Sequence, residues 1–587
     1  MVIVKTFSRR LKNILLKKCI FVIMRSVGTN IKPIACLLLM NFSSLLWTQN
    51  KTEWVPPMDI PFSLSGTFGE PRSTHFHLGV DIKTQGKEGW EVKSIAGGYI
   101  SRIRVSLGGY GKTLYIDHPD QTTSVYAHLK KFAPKIEAYI KILQYQKESY
   151  TLQQFPNKGE FSIDAGEVIG YSGNTGSSYG PHLHFEIRDT KSQKPLNPLH
   201  LNLPVKDTQR PRIQNLFLFY PKNSSVLTHS ESISLQKLND STYSTPLIMT
   251  SGKIGLGLQM FDRQDLSYSK NGIYRAKMEV NGKTVVQYQF DQLDYSDSNK
   301  LFIIVDYPNF KKKKNKILKM FFQNHKPLTF IKTISNEGIF NVELGKSYQV
   351  KVTVEDFSGN SSHIEMYVDG VKKRIPDKIL EGELIEPRLD YFFSLNQKEV
   401  YLPKKTFLEK AIIKIEEDEN ILSVKPNLFP FNNPYEIRFK VNKEDTVKTR
   451  QTFIAKKKEK KLYYLPTFIK DGHWTTEIKD MGDFTLAIDS IAPKITPSNF
   501  KPNQWLSKFR YMTLKISDDF SGIKSYRGTI NGQWVLFEYE PKRNRLTYDF
   551  SDKEFELAKH ELRLEVEDNV GNRSVYETVF FRKYNLN

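Results

Sequence analysis

The chain has 587 residues, 39% hydrophobic and 12% aromatic, so it is too long for one core and is expected to form about three to five domains. Its formal net charge is +22, and basic surfaces attract anionic polymers. No nucleic-acid-binding motif accompanies this charge, so we expect no nucleic-acid partner. The basic runs Lys311–Lys314 and Lys456–Lys461 are interpreted as solvated loops or lysine-protected sheet edges, with weak attraction to an anionic cell envelope as the alternative.

Residues 1–50 are interpreted as a leader, because they contain eight Lys or Arg and no Asp or Glu. The apolar run Ile34–Trp47 follows basic residues, as in a secretory signal, and is short for a membrane span. We therefore expect an exported protein, whether periplasmic, envelope-associated or secreted, that contacts the membrane only through this leader if it is not cleaved. Both cysteines, Cys19 and Cys36, lie in the leader, so no disulfide is expected in the exported part.

Residues 51–204 are expected to form an antiparallel β domain. Short apolar alternations such as Tyr99–Val105 and Val125–Leu129 are separated by Gly-Gly, Gly-Tyr-Gly and His-Pro-Asp turns. One interruption, residues 134–152, carries apolar residues at helical spacing. We expect a helix here that packs on the rim of the β domain and shapes one wall of its groove.

Two later segments share a series of landmarks in the same order, which indicates an internal duplication. Each opens with Asp-x-x-x-Pro-x-Ile, at 207–213 and at 489–495. Each continues with Leu-x-x-x-Asp and with Asn-Gly, which predicts a tight hairpin. Each ends with Val-Glu-Asp-x-x-Gly-Asn-x-Ser, at 354–362 and at 566–574.

The duplication predicts the architecture of the rest of the chain. We infer an immunoglobulin-like β-sandwich at 205–378, which carries an insertion, and a related sandwich at 489–587. Residues 379–488 show further strand patterns and are expected to form a third sandwich. The expected fold class is therefore mainly β, and envelope protein partners or envelope polymers are expected to bind through the sandwiches.

The Asp-x-x-Gly-Asn turns that begin at Asp356 and Asp568 have two interpretations. One is a calcium loop, but each turn offers only one carboxylate and one amide, whereas calcium takes six to eight oxygens. The other is Asx-type turn chemistry between two strands, which explains the pattern better. We prefer the second interpretation.

Metal-capable residues near the start of the chain are its strongest functional signal. His77 and Asp81 are four positions apart, His182 and His184 are two apart, and His128 stands between the two pairs. Even spacing along a strand places side chains on one face, so each pair is expected to share a face. Each motif alone is weak evidence, but together they predict a metal centre.

Catalytic zinc sites use three protein ligands and leave a fourth position for water. The charge-balanced choice is His77, Asp81 and His184, with one Zn²⁺ per chain. Zinc can lower the pKa of its water from about 15.7 to about 7. No His-Glu-x-x-His motif supplies a base, so His128 and His182 are the available proton-transfer groups, with an expected rate contribution of about 10²–10⁴.

Other nearby residues have alternative explanations. His75 forms a second His-x-His pattern with His77, but it lacks the four-residue spacing to the aspartate. His118, in Asp-His-Pro-Asp, is expected to be a turn residue. Tyr126 precedes His128 by two positions and is expected to share its strand face. Glu186 is expected to share the face of the second histidine pair, where its carboxylate could accept a hydrogen bond from a metal-binding histidine.

The combination of His-x-x-x-Asp, an isolated histidine and His-x-His resembles the lysostaphin/LytM-type zinc metalloendopeptidases, which cleave peptide bonds in bacterial cell-wall peptidoglycan. The glycine-rich segment Ser172–Gly180 also resembles this family. The resemblance covers about residues 60–200. The helical insert at 134–152 departs from the compact family core and resembles versions from the Bacteroidetes lineage.

The resemblance implies that His77, Asp81 and His184 are zinc ligands and that His128 and His182 form the catalytic pair. It implies an exported endopeptidase whose substrate and partner is peptidoglycan, cleaved in its stem peptides or cross-links. Three alternatives remain open. They are a catalytically quiet LytM-like regulator or binding protein of the envelope, a protease of secreted proteins, and a surface adhesin that works through its sandwiches.

Overall fold

The computed structural model describes residues 54–221, 227–298, 300–323, 325–376, 379–441, 446–554 and 556–583. The predicted leader and both cysteines lie outside these residues. The expected fold class is confirmed, because the described chain is mostly β, with eight sheets. Within the described ranges, no helix is both long and apolar enough to cross a membrane.

The first domain is built around one large antiparallel sheet. Its strands are β1 (Leu64–Gly66), β2 (Val80–Lys83), β3 (Glu91–Lys93), β4 (Gly98–Val105), β5 (Lys112–Asp117), β6 (Thr122–Leu129), β7 (Lys131–Phe132), β8 (Leu152–Gln154), β9 (Ser162–Ile163), β10 (Val168–Tyr171), β11 (His182–Asp189) and β12 (Pro195–Leu196). The large sheet has the order β1-β2-β11-β6-β5-β4-β8, with β12 added to β11 and β9 to β4. Strands β3, β10 and β7 form a small second sheet. Strands β2, β11 and β6 are therefore neighbours.

The predicted insert contains a helix, α1 (Pro134–Gln146), that is shorter than expected. Proline suits its first position because an N–H there has no partner within the helix. Ile136 and Ile140 anchor one face of the helix in the core of the first domain. The helix ends at Gln146, and Leu152, the last residue of the predicted helical range, begins β8, which pairs with β4.

The first sandwich contains two sheets. Its strands are β13 (Arg212–Tyr220), β14 (His229–Ile233), β15 (Gln236–Lys237), β16 (Thr242–Ser244), β17 (Ile248–Thr250), β18 (Gly252–Phe261), β19 (Arg275–Val280), β20 (Lys283–Gln289), β21 (Leu318–Lys319), β22 (Ile331–Ile334), β23 (Phe340–Val342), β24 (Ser347–Glu355) and β25 (Ser361–Gly370). The sheet orders are β14-β13-β18-β21, with β23 on β18, and β15-β16-β25-β24-β19-β20-β22, with β17 on β25. Helices α2 (Tyr295–Ser298) and α3 (Tyr307–Lys313) lie between β20 and β21.

The middle and last sandwiches also have two sheets each. The middle strands are β26 (Glu383–Ile385), β27 (Tyr391–Ser394), β28 (Lys398–Leu402), β29 (Ala411–Asp418), β30 (Ile421–Lys425), β31 (Tyr435–Lys440), β32 (Thr452–Lys458), β33 (Lys461–Tyr464), β34 (Phe468–Lys470), β35 (His473–Ile478) and β36 (Gly482–Ile488), with helix α4 (Thr446–Gln451). The last strands are β37 (Lys494–Pro497), β38 (Tyr511–Ser517), β39 (Ile523–Ile530), β40 (Gln533–Trp534), β41 (Phe537–Glu540), β42 (Arg545–Asp549), β43 (Lys559–Asp568) and β44 (Arg573–Phe581). Short 3₁₀ helices occur at Pro198–Leu201, Leu301–Ile303, Asn336–Gly338 and Pro541–Arg543.

Both Asn-Gly hairpins predicted from the duplication are confirmed. Strand β19 pairs with β20 around one turn, and β39 pairs with β40 around the other. Asn281 and Asn531 have φ values of 48° and 52°, and the glycines that follow have 75° and 77°. Two successive residues with positive φ are what a two-residue type I′ turn requires.

Two lysines from the basic runs are partly buried and ion-paired with another domain or strand, contrary to the expectation that these runs are solvated loops or sheet edges. Lys311 of α3 contacts Asp480 at 2.8 Å, and Lys456 of β32 contacts the other oxygen of the same carboxylate. Burial opposes ionisation of Asp480, but the two ammonium groups lower its pKa to about 2. This ion pair ties the first sandwich to the middle one.

The side of α1 that faces away from the core of the first domain contacts the last sandwich. Tyr145 packs edge-on against Trp534 with ring centroids 5.3 Å apart, and Lys141 pairs with Asp552. The last domain of the chain therefore packs against the first domain. Helix α1 provides the surface of the first domain in this contact.

A buried ion pair lies at the same interface. The Lys112 ammonium is almost completely buried and lies 3.0 Å from Glu538 of the last sandwich and 3.9 Å from Glu137 of α1. Burial disfavours the charged form, but the Glu538 carboxylate outweighs it and raises the pKa of Lys112 overall. Lys112 therefore depends on the last sandwich for its main counter-charge.

We predict that Glu538→Gln loosens this interface by about 1–3 kcal/mol, because it leaves a buried ammonium without its main partner. The value lies below that of a fully buried pair because Glu538 is 41% exposed and partly screened. Hydrogen–deuterium exchange of β41 and α1 should become faster. Adding Lys112→Met should restore part of the protection, and the exposed control Glu556→Gln should change nothing. Unchanged exchange in the Glu538 variant would contradict the prediction.

Candidate metal centre

Three adjacent strands supply most of the site. Asp81 of β2 lies directly opposite His184 of β11, and His184 lies directly opposite Ala127 of β6. Opposite residues in antiparallel strands place their side chains on the same face, close together. The small side chain of Ala127 leaves space on this face beside the histidine.

His77 lies in the loop before β2, so the expectation that it shares a strand face with Asp81 is wrong. Its backbone N–H donates to the Glu70 carbonyl at 2.9 Å and its carbonyl accepts the Gly69 N–H at 2.8 Å, so the chain between β1 and β2 folds back on itself here. Gly79 lets the loop approach β11, because a Cβ atom there would lie 2.3 Å from the Phe185 carbonyl oxygen. The His77 ring nevertheless reaches the same cluster.

Three ligand-capable atoms converge on one point. His77 Nε2 lies 3.0 Å from Asp81 Oδ1 and 3.1 Å from His184 Nδ1, and His184 Nδ1 lies 2.9 Å from Asp81 Oδ1. All three side chains are buried, with 4–7% exposure of their residues. The structure therefore brings together the three residues that the sequence predicts as ligands, in a group that could hold a metal ion.

The far side of each imidazole is fixed by a hydrogen bond. His77 Nδ1 donates to the Thr67 carbonyl at 2.9 Å, and His184 Nε2 donates to Glu186 Oε1 at 2.8 Å. The Glu186 carboxylate is held in turn by Arg188 Nε at 2.7 Å. These contacts orient the inner ring nitrogens toward Asp81, as hydrogen bonds behind metal ligands commonly do.

The electrostatics of the cluster follow from the same contacts. Burial opposes the charge on His184, but the Asp81 and Glu186 carboxylates raise its pKa to about 9. Burial also opposes ionisation of Glu186, and Arg188 with His184 lowers its pKa to about 2. The Asp81 and Glu186 carboxylates therefore give the centre of the cluster a negative environment that would favour a bound cation.

The sequence did not reveal every residue of this network. Arg72 Nη2 donates to Asp81 Oδ2 at 2.7 Å, and the Tyr110 hydroxyl donates to Glu186. No spacing rule connects Arg72 or Tyr110 to the motifs. Arg188 was detectable, because it continues the same-face alternation from His184 through Glu186.

His128 reaches the site through an irregular backbone. Tyr126 lies opposite Phe185 and is fully buried in the core, so a regular strand would point His128 into the core as well. Instead His128 has φ 59° in the left-handed region, and its side chain turns to the site face. The expectation that Tyr126 shares its face is therefore wrong. Strain of this kind at a non-glycine residue often marks a functional position.

His128 and His182 lie side by side, with ring centroids 4.8 Å apart. His128 Nδ1 donates to the Thr175 carbonyl at 2.8 Å, and His182 Nδ1 donates to the Gly180 carbonyl at 2.8 Å. His182 Nε2 lies 3.5 Å from Asp81 Oδ1. Burial, followed by the neighbouring imidazoles, lowers the pKa of His128 to about 3. Both rings therefore present Nε2 to the cluster.

The remaining nearby histidines lie outside the cluster. His75 is exposed, and its ring contacts Thr74. His118 is buried, with one ring nitrogen on the Gly97 carbonyl and the other on the Ser124 hydroxyl. Its position next to a turn agrees with the sequence interpretation.

The segment that carries this site is similar to known proteins. Residues 75–147 and 144–198 match peptidase family M23, and residues 383–489 match the Zu5-like domain. The chain is 31% identical over 131 residues to the DD-carboxypeptidase/endopeptidase Mpg of Neisseria meningitidis serogroup B, covering 22% of this chain and 24% of that protein. It is 30% identical over 128 residues to an uncharacterized metalloprotease of Haemophilus influenzae, covering 22% and 21%. The chain thus spans about a quarter of the length of these curated relatives.

Solved structures similar to this chain include the catalytic domain of lysostaphin from Staphylococcus simulans, with 26% identity, a TM-score of 0.18 and coverage of 23% of this chain and 89% of that one. Another is the catalytic domain of the M23 protein EnpA from Enterococcus faecalis, with 21% identity, a TM-score of 0.19 and coverage of 25% and 95%. The assignment rests on the sequence match and on the five intact motif residues. The segment between residues 75 and 198 belongs to peptidase family M23, of the lysostaphin/LytM type.

Proposed function

We propose that this chain is an exported zinc-dependent endopeptidase that hydrolyses peptide bonds in bacterial cell-wall peptidoglycan. The observation that carries the proposal is the convergence of three atoms, His77 Nε2, Asp81 Oδ1 and His184 Nδ1. They form a buried cluster in the segment that matches peptidase family M23. Export is supported by the basic and apolar pattern of the first 50 residues.

The chemistry of the donor atoms fits zinc. Two imidazole nitrogens and one carboxylate oxygen are common zinc ligands, whereas calcium and magnesium take oxygen ligands. Three protein ligands leave room for a fourth group, as in catalytic zinc sites. A zinc ion held by His77, Asp81 and His184 would act as a Lewis acid, polarising the scissile carbonyl and activating water.

The other two histidines are placed to handle protons. The Nδ1–H groups of His128 and His182 are engaged by backbone carbonyls, so in each ring Nε2 is the nitrogen that can accept a proton. His182 Nε2 lies 3.5 Å from Asp81 Oδ1, at the edge of the ligand cluster. His128 and His182 can therefore take a proton from the attacking water and return one to the leaving amine.

Cell-wall peptides are the substrate class best supported. The lysostaphin type of the domain and the DD-carboxypeptidase/endopeptidase activity in the name of the Neisseria relative both support them. Tyr179, in the glycine-rich loop before His182, is completely exposed beside the site and offers an aromatic surface to a bound peptide.

We predict that His184→Ala abolishes both zinc binding and digestion of purified sacculi, because it removes a ligand. His128→Ala and His182→Ala should retain zinc while kcat falls about 10²–10⁴-fold, because they remove proton transfer without removing a ligand. Zinc content is measured by atomic emission, and released muropeptides by mass spectrometry. The exposed His75→Ala is the matched control and should keep wild-type activity.

The same assay separates the alternatives. Full zinc content without any release of muropeptides would favour a quiet envelope regulator. Faster cleavage of casein than of cross-linked muropeptides would favour a protease of secreted proteins. Unchanged digestion by His184→Ala would defeat the assignment of the site.

We predict that Glu186→Gln weakens zinc binding about 10–100-fold, because the carboxylate that orients His184 loses its charge. Affinity is measured by competition with a chromophoric chelator. The melting temperature of the metal-free variant is recorded in parallel, since Arg188 loses its counter-charge. Glu91→Gln, at an exposed position of β3, is the control. Equal zinc affinity in a folded Glu186→Gln protein would contradict this role.

A further inference from the structure

Three carboxylates converge where the chain enters the first sandwich. Asp207 lies in the linker before β13, Asp262 follows β18, and Asp356 follows β24. Their carboxylate oxygens lie within 4.8 Å of one another. They line a cavity of about 380 Å³ between the first domain and the sandwich, which Thr67 also lines.

The last sandwich repeats this arrangement at equivalent landmarks. Asp489 lies in the linker before β37, Asp518 follows β38, and Asp568 ends β43. Their oxygens also lie within 4.8 Å of one another. The duplication therefore preserves a three-carboxylate cluster at the entry of each of the two related domains.

A fourth polar residue accompanies each cluster. Asn271 and Ser521 each precede a Gly-Ile pair, are only 2% and 3% exposed, and have side-chain polar atoms without a hydrogen-bond partner among the described residues. Asn271 lies directly opposite Asp262 in a β-bridge, so its amide is on the same face as that carboxylate. The Ser521 backbone N–H donates to Asp489 Oδ2 at 3.0 Å, which places its hydroxyl beside the second cluster.

These buried polar atoms lack compensation within the protein. One oxygen of Asp262 also has no hydrogen-bond partner in the described structure. In the same ranges, no lysine or arginine forms an ion pair with any of the six clustered aspartates. The other clustered aspartates accept N–H groups, but the Asp262 oxygen and the side-chain oxygens of Asn271 and Ser521 are buried without a partner in the described part of the chain, and a bound cation would provide one.

We propose that each cluster is a calcium site, formed by three carboxylates and the side-chain oxygen of Asn271 or Ser521. Every donor is an oxygen, which suits a hard cation. Carboxylates can bind calcium through one or two oxygens each, so three of them with the fourth residue can approach the six to eight oxygens that calcium takes, whereas magnesium demands octahedral geometry and usually keeps several waters. The zinc centre in the first domain differs because two of its donors are nitrogens.

The Asx turns and the calcium sites are compatible, although the sequence presented them as alternatives. Asp356 Oδ1 accepts the Asn360 N–H at 2.9 Å, and Asp568 Oδ1 accepts the Asn572 N–H at 2.9 Å, so both turns are formed. Asp568 Oδ1 also accepts the Val570 and Gly571 N–H groups, so a cation would bind this residue through Oδ2, which accepts the Asn572 side-chain amide and retains a further lone pair. The missing carboxylates come from distant segments, which the single motif could not reveal.

The sites would fix the linkers to the sandwiches. Asn360 Nδ2 donates to the Asp207 carbonyl at 3.2 Å, and Asn572 Nδ2 donates to the Asp489 carbonyl at 2.8 Å. Each cation would add a link between a linker aspartate and two aspartates of the sandwich. Calcium would therefore stiffen the entry to both related domains.

Calcium titration of the purified full chain, by isothermal calorimetry in calcium-free buffer, tests the proposal. We expect two ions per chain, one after Asp262→Asn, one after Asp568→Asn, and none in the double variant. The exposed controls Asp240→Asn and Asp519→Asn should still bind two. His184→Ala should also bind two, which separates this result from the fate of the proposed peptidase activity.

Thermal unfolding supplies a second measurement. Without calcium, Asp262→Asn should melt at or above the wild-type temperature, because it relieves repulsion among buried carboxylates. With saturating calcium the wild type should become the more stable of the two. No saturable calcium binding by the wild type, two ions still bound by the double variant, or a variant less stable under both conditions would overturn the proposal. Equal binding of magnesium would overturn the choice of calcium.

Discussion

The hydrogen bond from His184 to Glu186 is the interaction on which the metal centre depends. Strand β11 is central in its sheet, so its polar face is buried almost as completely as its apolar face. Buried polar groups must be paired, and the strand achieves this along its own length. Arg188 neutralises Glu186, Glu186 orients His184, and His184 meets Asp81. An apolar residue at any of these positions would leave its neighbour with a buried, uncompensated charge.

The sandwiches brace the segments that hold the site histidines. On one side, the Thr67 hydroxyl accepts the Gly272 N–H of the first sandwich at 2.9 Å, and the Thr67 carbonyl fixes His77. On the other, Lys542 of the last sandwich contacts Asn174, next to the residue whose carbonyl holds His128. Two domains far apart in sequence thus contact the backbone that orients His77 and His128. The later domains are part of the support of the site, in addition to any surface they offer to a partner.

The sequence predicted what periodicity and repetition encode. Alternation along β11 revealed the same-face set of His182, His184 and Glu186, and the duplication revealed both Asn-Gly hairpins. It failed where the backbone departs from regular geometry, because the left-handed conformation of His128 reverses the face that strand spacing predicts. The sequence also did not predict contacts between distant segments, such as the packing of the last sandwich against α1. No local pattern records which remote surface a helix will meet.

The two proposed kinds of metal site differ in donor type but are close in structure. Zinc favours sites with nitrogen donors, whereas calcium takes oxygen, so neither ion is the natural occupant of the other's site. Asn271 of the first acidic cluster is followed by Gly272, which contacts Thr67, whose carbonyl orients His77. Calcium that ordered this corner would restrain the same loop that positions His77. Because a ligand set pre-organised before binding loses less conformational freedom, occupancy of the oxygen site would favour metal binding at the nitrogen site.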